Sequence, residues 1–171
     1  MKDKLEALKL ALANEVTERD FYLTHAKRTK DVLGRQMFLS IAADEDTHYQ
    51  KLTELHAKLE ERSKWPDAFS LEMYSTVTEA LGRLSKEATT NPEADDDDVK
   101  AVNVAIEFER KGEEFYARLA AKAENKAEKR FFTLLASMER EHRLSLEDTL
   151  EYFTDPQEWL ERKGGRHLDG A

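Results

Sequence analysis

Ile41-Ala42-Ala43-Asp44-Glu45-Asp46-Thr47-His48 is the stretch on which the reading of this chain turns. Glu45 and His48 stand three residues apart in a strongly helical segment. At that spacing both side chains leave a helix on one face, where a carboxylate and an imidazole can hold one cation. The pair recurs, because a shift of 94 positions carries Glu45 onto Glu139 and His48 onto His142. The same shift carries Glu15 onto Glu109, Phe21 onto Phe115, Tyr22 onto Tyr116, Phe38 onto Phe132, Ala42 onto Ala136 and Leu52 onto Leu146. The chain therefore reads as a duplication with six candidate metal-binding side chains, Glu15, Glu45, His48, Glu109, Glu139 and His142.

Outward from this stretch the apolar positions follow a helical period. Leu5, Leu8, Leu12, Val16, Leu23 and Ala26 mark a first helix from Asp3 to about Arg28, with Glu15 and Tyr22 on or beside its stripe. Asp31 is a plausible N-cap for a second helix, which runs through Phe38, Ile41, Leu52, Leu55 and Leu59 to about Arg62. Glu15 and Glu45 are equidistant from residue 30, so a hairpin of these helices sets them level. A third helix from about Asp98 to Ala123 carries Val102, Ile106 and Leu119. Asn125 with Glu128 resembles a capping box opening a fourth, which carries Leu135, Leu146 and Leu150. Glu109 and Glu139 are equidistant from residue 124, so the second hairpin repeats the first.

Between the hairpins, residues 63–98 read as a crossover: a turn at Trp65-Pro66, a helix from Ser70 to about Ala88 and an acidic connection from Thr89 to Asp98. Asp95 to Asp98 reads as a loop and N-cap cluster at the positive end of the next helix, with a cation funnel as the other reading. The expected organisation is an all-α four-helix bundle over 1–153 and a C-terminal tail over 154–171. In that tail Asp155 to Leu160 forms a turn or short helix against the bundle, and Gly164 to Ala171 is mobile.

Composition narrows the function. Apolar residues at 40% beside 37% charged suit helices with one buried stripe, and few Gly (6) and Pro (3) suit long elements with scarce turns. A net charge of −9 argues against nucleic acid and favours attraction of cations. The absence of Cys excludes thiolate metal sites and disulfides within this sequence. Met1-Lys2-Asp3-Lys4 leads into an amphipathic pattern rather than a signal peptide, and no apolar run suits a membrane span, so a cytoplasmic protein is expected.

Each residue also has a plainer role. Single Glu or His residues on helices usually face solvent, as expected of Glu60, Glu61, Glu113 and Glu114. Phe21, Phe38, Phe115 and Phe132 are core residues whatever the function. Tyr22 and Tyr116 would be core rings whose hydroxyls need an acceptor, which a metal-bound carboxylate supplies. His25, His56 and His167 lack repeat partners and are assigned to the surface. Glu18 lies one turn after Glu15, but its repeat position is Gly112; it is either an extra ligand or exposed.

Over residues 5 to 153 the sequence resembles the rubrerythrin-like branch of the ferritin-like, diiron carboxylate superfamily. The residues that carry the resemblance are Glu15 with Tyr22, Glu45-x-x-His48, Glu109 with Phe115-Tyr116, and Glu139-x-x-His142. The resemblance implies a ferritin-like four-helix bundle with two iron ions. Glu45 and Glu139 would bridge them, Glu15 and Glu109 would be terminal ligands, and each His would cap one ion.

Two departures stand out. Rubrerythrin proper adds a rubredoxin domain with Cys-bound iron, whereas this sequence has no Cys, so reducing equivalents would come from a separate donor protein or small molecule. Rubrerythrin also has a further Glu three residues before the third-helix ligand, and Ile106 stands there.

Oxygen and imidazole donors without thiolate suit iron or manganese, with zinc a possible substitute. The expected function is a non-haem diiron oxidoreductase, a ferroxidase or peroxidase in oxidative stress or iron handling. It would use hydrogen peroxide or dioxygen and work as a homodimer. An iron storage or delivery subunit and a metal-free helical interaction module are the alternatives.

Overall fold

The computed structural model describes residues 2–62, 64–66 and 73–165. Among these, six helices and no strand occur: α1 (Lys2–Arg28), α2 (Val32–Arg62), α3 (Val77–Leu84), α4 (Asp96–Ala121), α5 (Lys126–Thr154) and α6 (Pro156–Gly165). α1 packs along α2 and α4 along α5, while α2–α5 and α1–α4 contacts join the two hairpins. The all-helical bundle with a crossover is the expected fold.

The helix ends are fixed by side chains read from the sequence. Asp31 Oδ1 accepts the Gly34 amide at 2.9 Å and opens α2, while its Oδ2 accepts the Glu93 amide at 3.2 Å. Asp95 caps α4 in a reciprocal box with Asp98. Asp98 also receives Arg28 at 2.7 Å and the Thr29 hydroxyl at 2.8 Å, which stitches the first hairpin turn to α4. The capping reading of the acidic run therefore holds. At the opposite end Asn125 caps α5 by accepting the Glu128 amide, and Glu128 pairs with Lys4 at 2.8 Å.

Two apolar clusters form the core. One joins Tyr22, Phe38, Ile41, Val102, Leu146 and Trp159; the other joins Leu8, Leu55, Tyr116, Phe131, Phe132 and Leu135. On each long helix the candidate donors fall between the residues of these clusters. In α1, Glu15 lies between Ala11 and Tyr22, and in α5, Glu139 and His142 lie between Met138 and Leu146. The bundle is two apolar plugs with a polar waist.

Several expectations need correction. The crossover helix spans Val77–Leu84 rather than Ser70 to Ala88, and residues 70–72 lie outside the described residues. It starts late because Thr76 gives its amide and hydroxyl to Asp44. Leu23 is exposed, since the buried positions of α1 run through 8, 11, 15, 22 and 26, and residue 23 is turned about 100° from Tyr22. His25 is half-buried against Phe21 and Phe38, with ring centroids at 4.3 and 5.9 Å, and His56 is half-buried beside Glu60; neither is a plain surface residue. His167 lies outside the described residues.

The short helix expected against the bundle at Asp155 to Leu160 is α6, which runs on through Gly164 and Gly165, residues assigned to the mobile stretch; residues 166–171 lie outside the described residues. Asp155 Oδ1 accepts the Glu158 amide, Pro156 occupies the first helical position, and Trp159 is completely buried against Tyr152, with ring centroids at 4.9 Å. Trp159→Ala is expected to lower unfolding stability by about 3–5 kcal/mol in a urea titration. A loss below about 1 kcal/mol would show α6 to be a dispensable appendage.

Candidate metal centre

Each donor is delivered by the middle of a long helix. α1 contributes Glu15, α2 contributes Glu45 and His48, α4 contributes Glu109, and α5 contributes Glu139 and His142; none is more than 1% exposed. Among the described residues two groups have ligand atoms all within 4.8 Å of one another: Glu15, Glu45, His48 and Glu139, and Glu45, Glu109, Glu139 and His142. His48 Nδ1 lies 3.2 Å from Glu15 Oε2, 3.1 Å from Glu45 Oε2 and 3.5 Å from Glu139 Oε1. His142 Nδ1 lies 3.2 Å from Glu45 Oε1, 3.4 Å from Glu109 Oε2 and 3.7 Å from Glu139 Oε2. Glu45 and Glu139 thus turn one oxygen toward each imidazole. The rings stand 5.7 Å apart, nearly parallel.

The two tyrosines cross between hairpins. Tyr22 of α1 donates its hydroxyl proton to Glu109 of α4, and Tyr116 of α4 donates to Glu15 of α1. Each occupies one oxygen of its carboxylate and leaves the other aimed at an imidazole. Burial, followed by the carboxylate neighbours, pushes both phenols well above the usual range, which keeps them donors.

The waist is electrostatically unbalanced as a protein-only structure. Burial, followed by the other carboxylates, drives Glu45 and Glu139 well above the usual carboxyl range. Burial also opposes ionisation of Glu15, but His48 and its hydrogen bonds outweigh it and hold its pKa low. For His48 and His142 burial disfavours the charged form, yet Glu15 on one side and Glu109 with Asp44 on the other raise both pKa values. Glu45 Oε1, Glu109 Oε2, both Glu139 oxygens and His142 Nδ1 are buried without a well-directed hydrogen-bond partner among the described residues. Such unmet lone pairs, arranged around shared carboxylates, are what divalent cations satisfy. Oxygen and imidazole donors alone fit iron or manganese, and cations entering here would displace the protons that the carboxyls and imidazoles carry.

Glu18 is neither a member of these groups nor exposed. It is half-buried, and burial, then Glu139 and Glu15, pushes its pKa up to about 9. Its repeat counterpart Gly112 gives Glu139 room. A Cβ there would lie 3.3 Å from Glu139 Cγ and Cδ, tighter than most such contacts.

Asp44 is the residue the sequence reading missed. Its Oδ2 lies 3.0 Å from His142 Nε2, and it accepts the Thr76 amide and hydroxyl. The available signal was its place three residues after Ile41 and four before His48, on the flank of the buried stripe.

These shifts set the pH dependence of the metal-free protein. Glu18, Glu45, Glu139, His48 and His142 all have raised folded pKa values, so the stability each contributes is present below its unfolded pKa and lost as pH rises through the folded one. For Glu18 that window runs from 4.5 to about 9. The lowered Glu15 and Asp44 act in the opposite sense, losing their contribution as pH falls through their folded pKa values. The melting temperature of the metal-free protein is therefore expected to fall as pH rises across this window, and Glu18→Gln should make the slope shallower. A flat or rising profile would contradict the assignment.

A family model described as rubrerythrin matches residues 6–94 and 100–166. Comparison with curated proteins gives no match, and neither does comparison with solved structures. With a match over nearly the whole chain, on a helical bundle whose waist holds a buried cluster of carboxylates and imidazoles, the chain belongs to the rubrerythrin family.

Proposed function

We propose that this chain is a non-haem diiron oxidoreductase that oxidises Fe(II) with hydrogen peroxide or dioxygen. The observation that carries this reading is the pair of buried donor groups sharing Glu45 and Glu139, with partnerless oxygens turned inward. Glu15 and His48 would complete one metal position, and Glu109 and His142 the other. Four carboxylates offset the charge of two divalent ions, so the filled waist is close to neutral where the empty one crowds like charges.

Two ferrous ions held there would supply two electrons, which with two protons reduce one hydrogen peroxide to two waters and leave two ferric ions. The protein's part is to bind, orient and exclude water. Tyr22 and Tyr116 fix the rotation of Glu109 and Glu15 through their hydroxyl protons, and the nearly parallel imidazoles hold Nδ1 toward the shared carboxylates. The apolar clusters on both sides keep bulk water from the waist. An electron donor other than a Cys-bound iron within these residues would return the iron to the ferrous state.

Anaerobic addition of Fe(II) to the metal-free protein is expected to bind two ions per chain by elemental analysis and to raise the melting temperature through preferential binding to the folded state. Adding peroxide should then consume one equivalent per two irons, with the near-ultraviolet absorbance of ferric iron. Glu45→Ala, which removes a donor from both positions, should abolish stoichiometric uptake. Failure to retain metal after desalting would sink the proposal. Assembly into a large shell in light scattering would favour storage instead.

A further inference from the structure

We infer that the two halves of this centre are unequal: the position facing His142 fills first and holds its metal more tightly, because Asp44 positions that imidazole while His48 has no such partner. The inference rests on the metal-binding reading above and goes beyond it in assigning an order and a cause.

The duplication makes the comparison internal. Under the shift of 94 positions every donor and both tyrosines have an identical counterpart, so the two positions would match if nothing else differed. Asp44 breaks the match, because its counterpart is Met138. In both imidazoles Nδ1 faces the carboxylates, which leaves Nε2 to carry the proton when the neutral ring binds a cation. His142 Nε2 has Asp44 Oδ2 at 3.0 Å to receive that proton. His48 Nε2 is buried and has no hydrogen-bond partner among the described residues.

A carboxylate behind a ligating imidazole fixes its tautomer and ring orientation and makes the opposite nitrogen more basic, and losing such a partner typically weakens metal affinity about 10–100-fold. Asp44 is itself held. Thr76 gives its amide to Oδ2 at 3.1 Å and its hydroxyl to Oδ1 at 3.0 Å, at the threshold of α3. Thr76 is thus a latch through which the crossover sets the His142 position. His48 must give up its preferred hydration with nothing in return at Nε2, so binding there carries an added cost. Another break in the repeat beside the centre, Glu18 against Gly112, adds no atom to either donor group.

The test is an anaerobic calorimetric titration of the metal-free protein with Fe(II), joined to a crystal soaked with less than one equivalent and measured at the iron edge. Two resolved steps are expected, with the anomalous peak beside His142 at low occupancy. Asp44→Asn should weaken the first step by about 10–100-fold and leave the second nearly unchanged, and Thr76→Val should weaken the same step by less. Met138→Asp, which by the repeat places the same carboxylate opposite His48, should narrow the gap between the steps. If that variant does not fold by circular dichroism, the Asp44 and Thr76 variants still decide the matter. Two equal steps in the unmodified protein, a first peak beside His48, or Asp44→Asn weakening both steps alike would overturn the inference while leaving the proposed function intact. No uptake at all would overturn both.

Discussion

Four carboxylates removed from water and turned toward one another are the constraint that the rest of this bundle answers. In an apolar interior such charges can be tolerated by carrying protons, by pairing with imidazolium or by binding cations, and the waist shows the first two in the raised pKa values of Glu45, Glu139, His48 and His142. Neither satisfies the inward oxygens of Glu139, which have no hydrogen-bond partner among the described residues. A protein selected only for stability would fill this layer with apolar side chains, as it does immediately above and below. The polar waist is a standing cost that makes sense as a binding site.

Holding that layer in register falls to features well away from it. The caps at Asp31, Asp95 and Asn125 set where α2, α4 and α5 begin, and so the height at which each donor emerges. Arg28 and Thr29 on Asp98 lock one end of the bundle, and Lys4 on Glu128 locks the other. At mid-height the crossed tyrosines do the same work through the interior, each tying one hairpin to a carboxylate of the other. A vertical slip of one residue would move a donor about 1.5 Å along its helix and turn it about 100° away.

Much of this was legible in the chain itself. The three-residue spacing of Glu45 and His48, its recurrence at Glu139 and His142, and the symmetric placing of Glu15 and Glu109 about their turns carry both topology and convergence, because local helical geometry translates directly into position. Asp44 was not legible as a partner of His142, since the two are 98 residues apart and the acidic run Asp44-Glu45-Asp46 does not say which of its members turn inward. Glu18 shows the same limit: periodicity puts it at the edge of the buried face, and its burial by the bundle, followed by Glu139 from another helix and Glu15 on its own, decides its state. The crossover was the least readable part, because Thr76 takes its place from a tertiary partner rather than from a repeating pattern; α6 was read in place but too short, since the burial of Trp159 against Tyr152 is likewise tertiary.

The sharing of Glu45 and Glu139 has a consequence for how the molecule is divided. Each hairpin supplies three donors to its own position and lends one carboxylate oxygen to the other, so neither hairpin owns a complete set. Severed within the crossover, the halves would each be one donor short, and each would keep an orphan oxygen meant for its sibling. Under the proposed function, docking of the halves and capture of the ions would be coupled, so a chelator would loosen the joint between the hairpins as it emptied the waist.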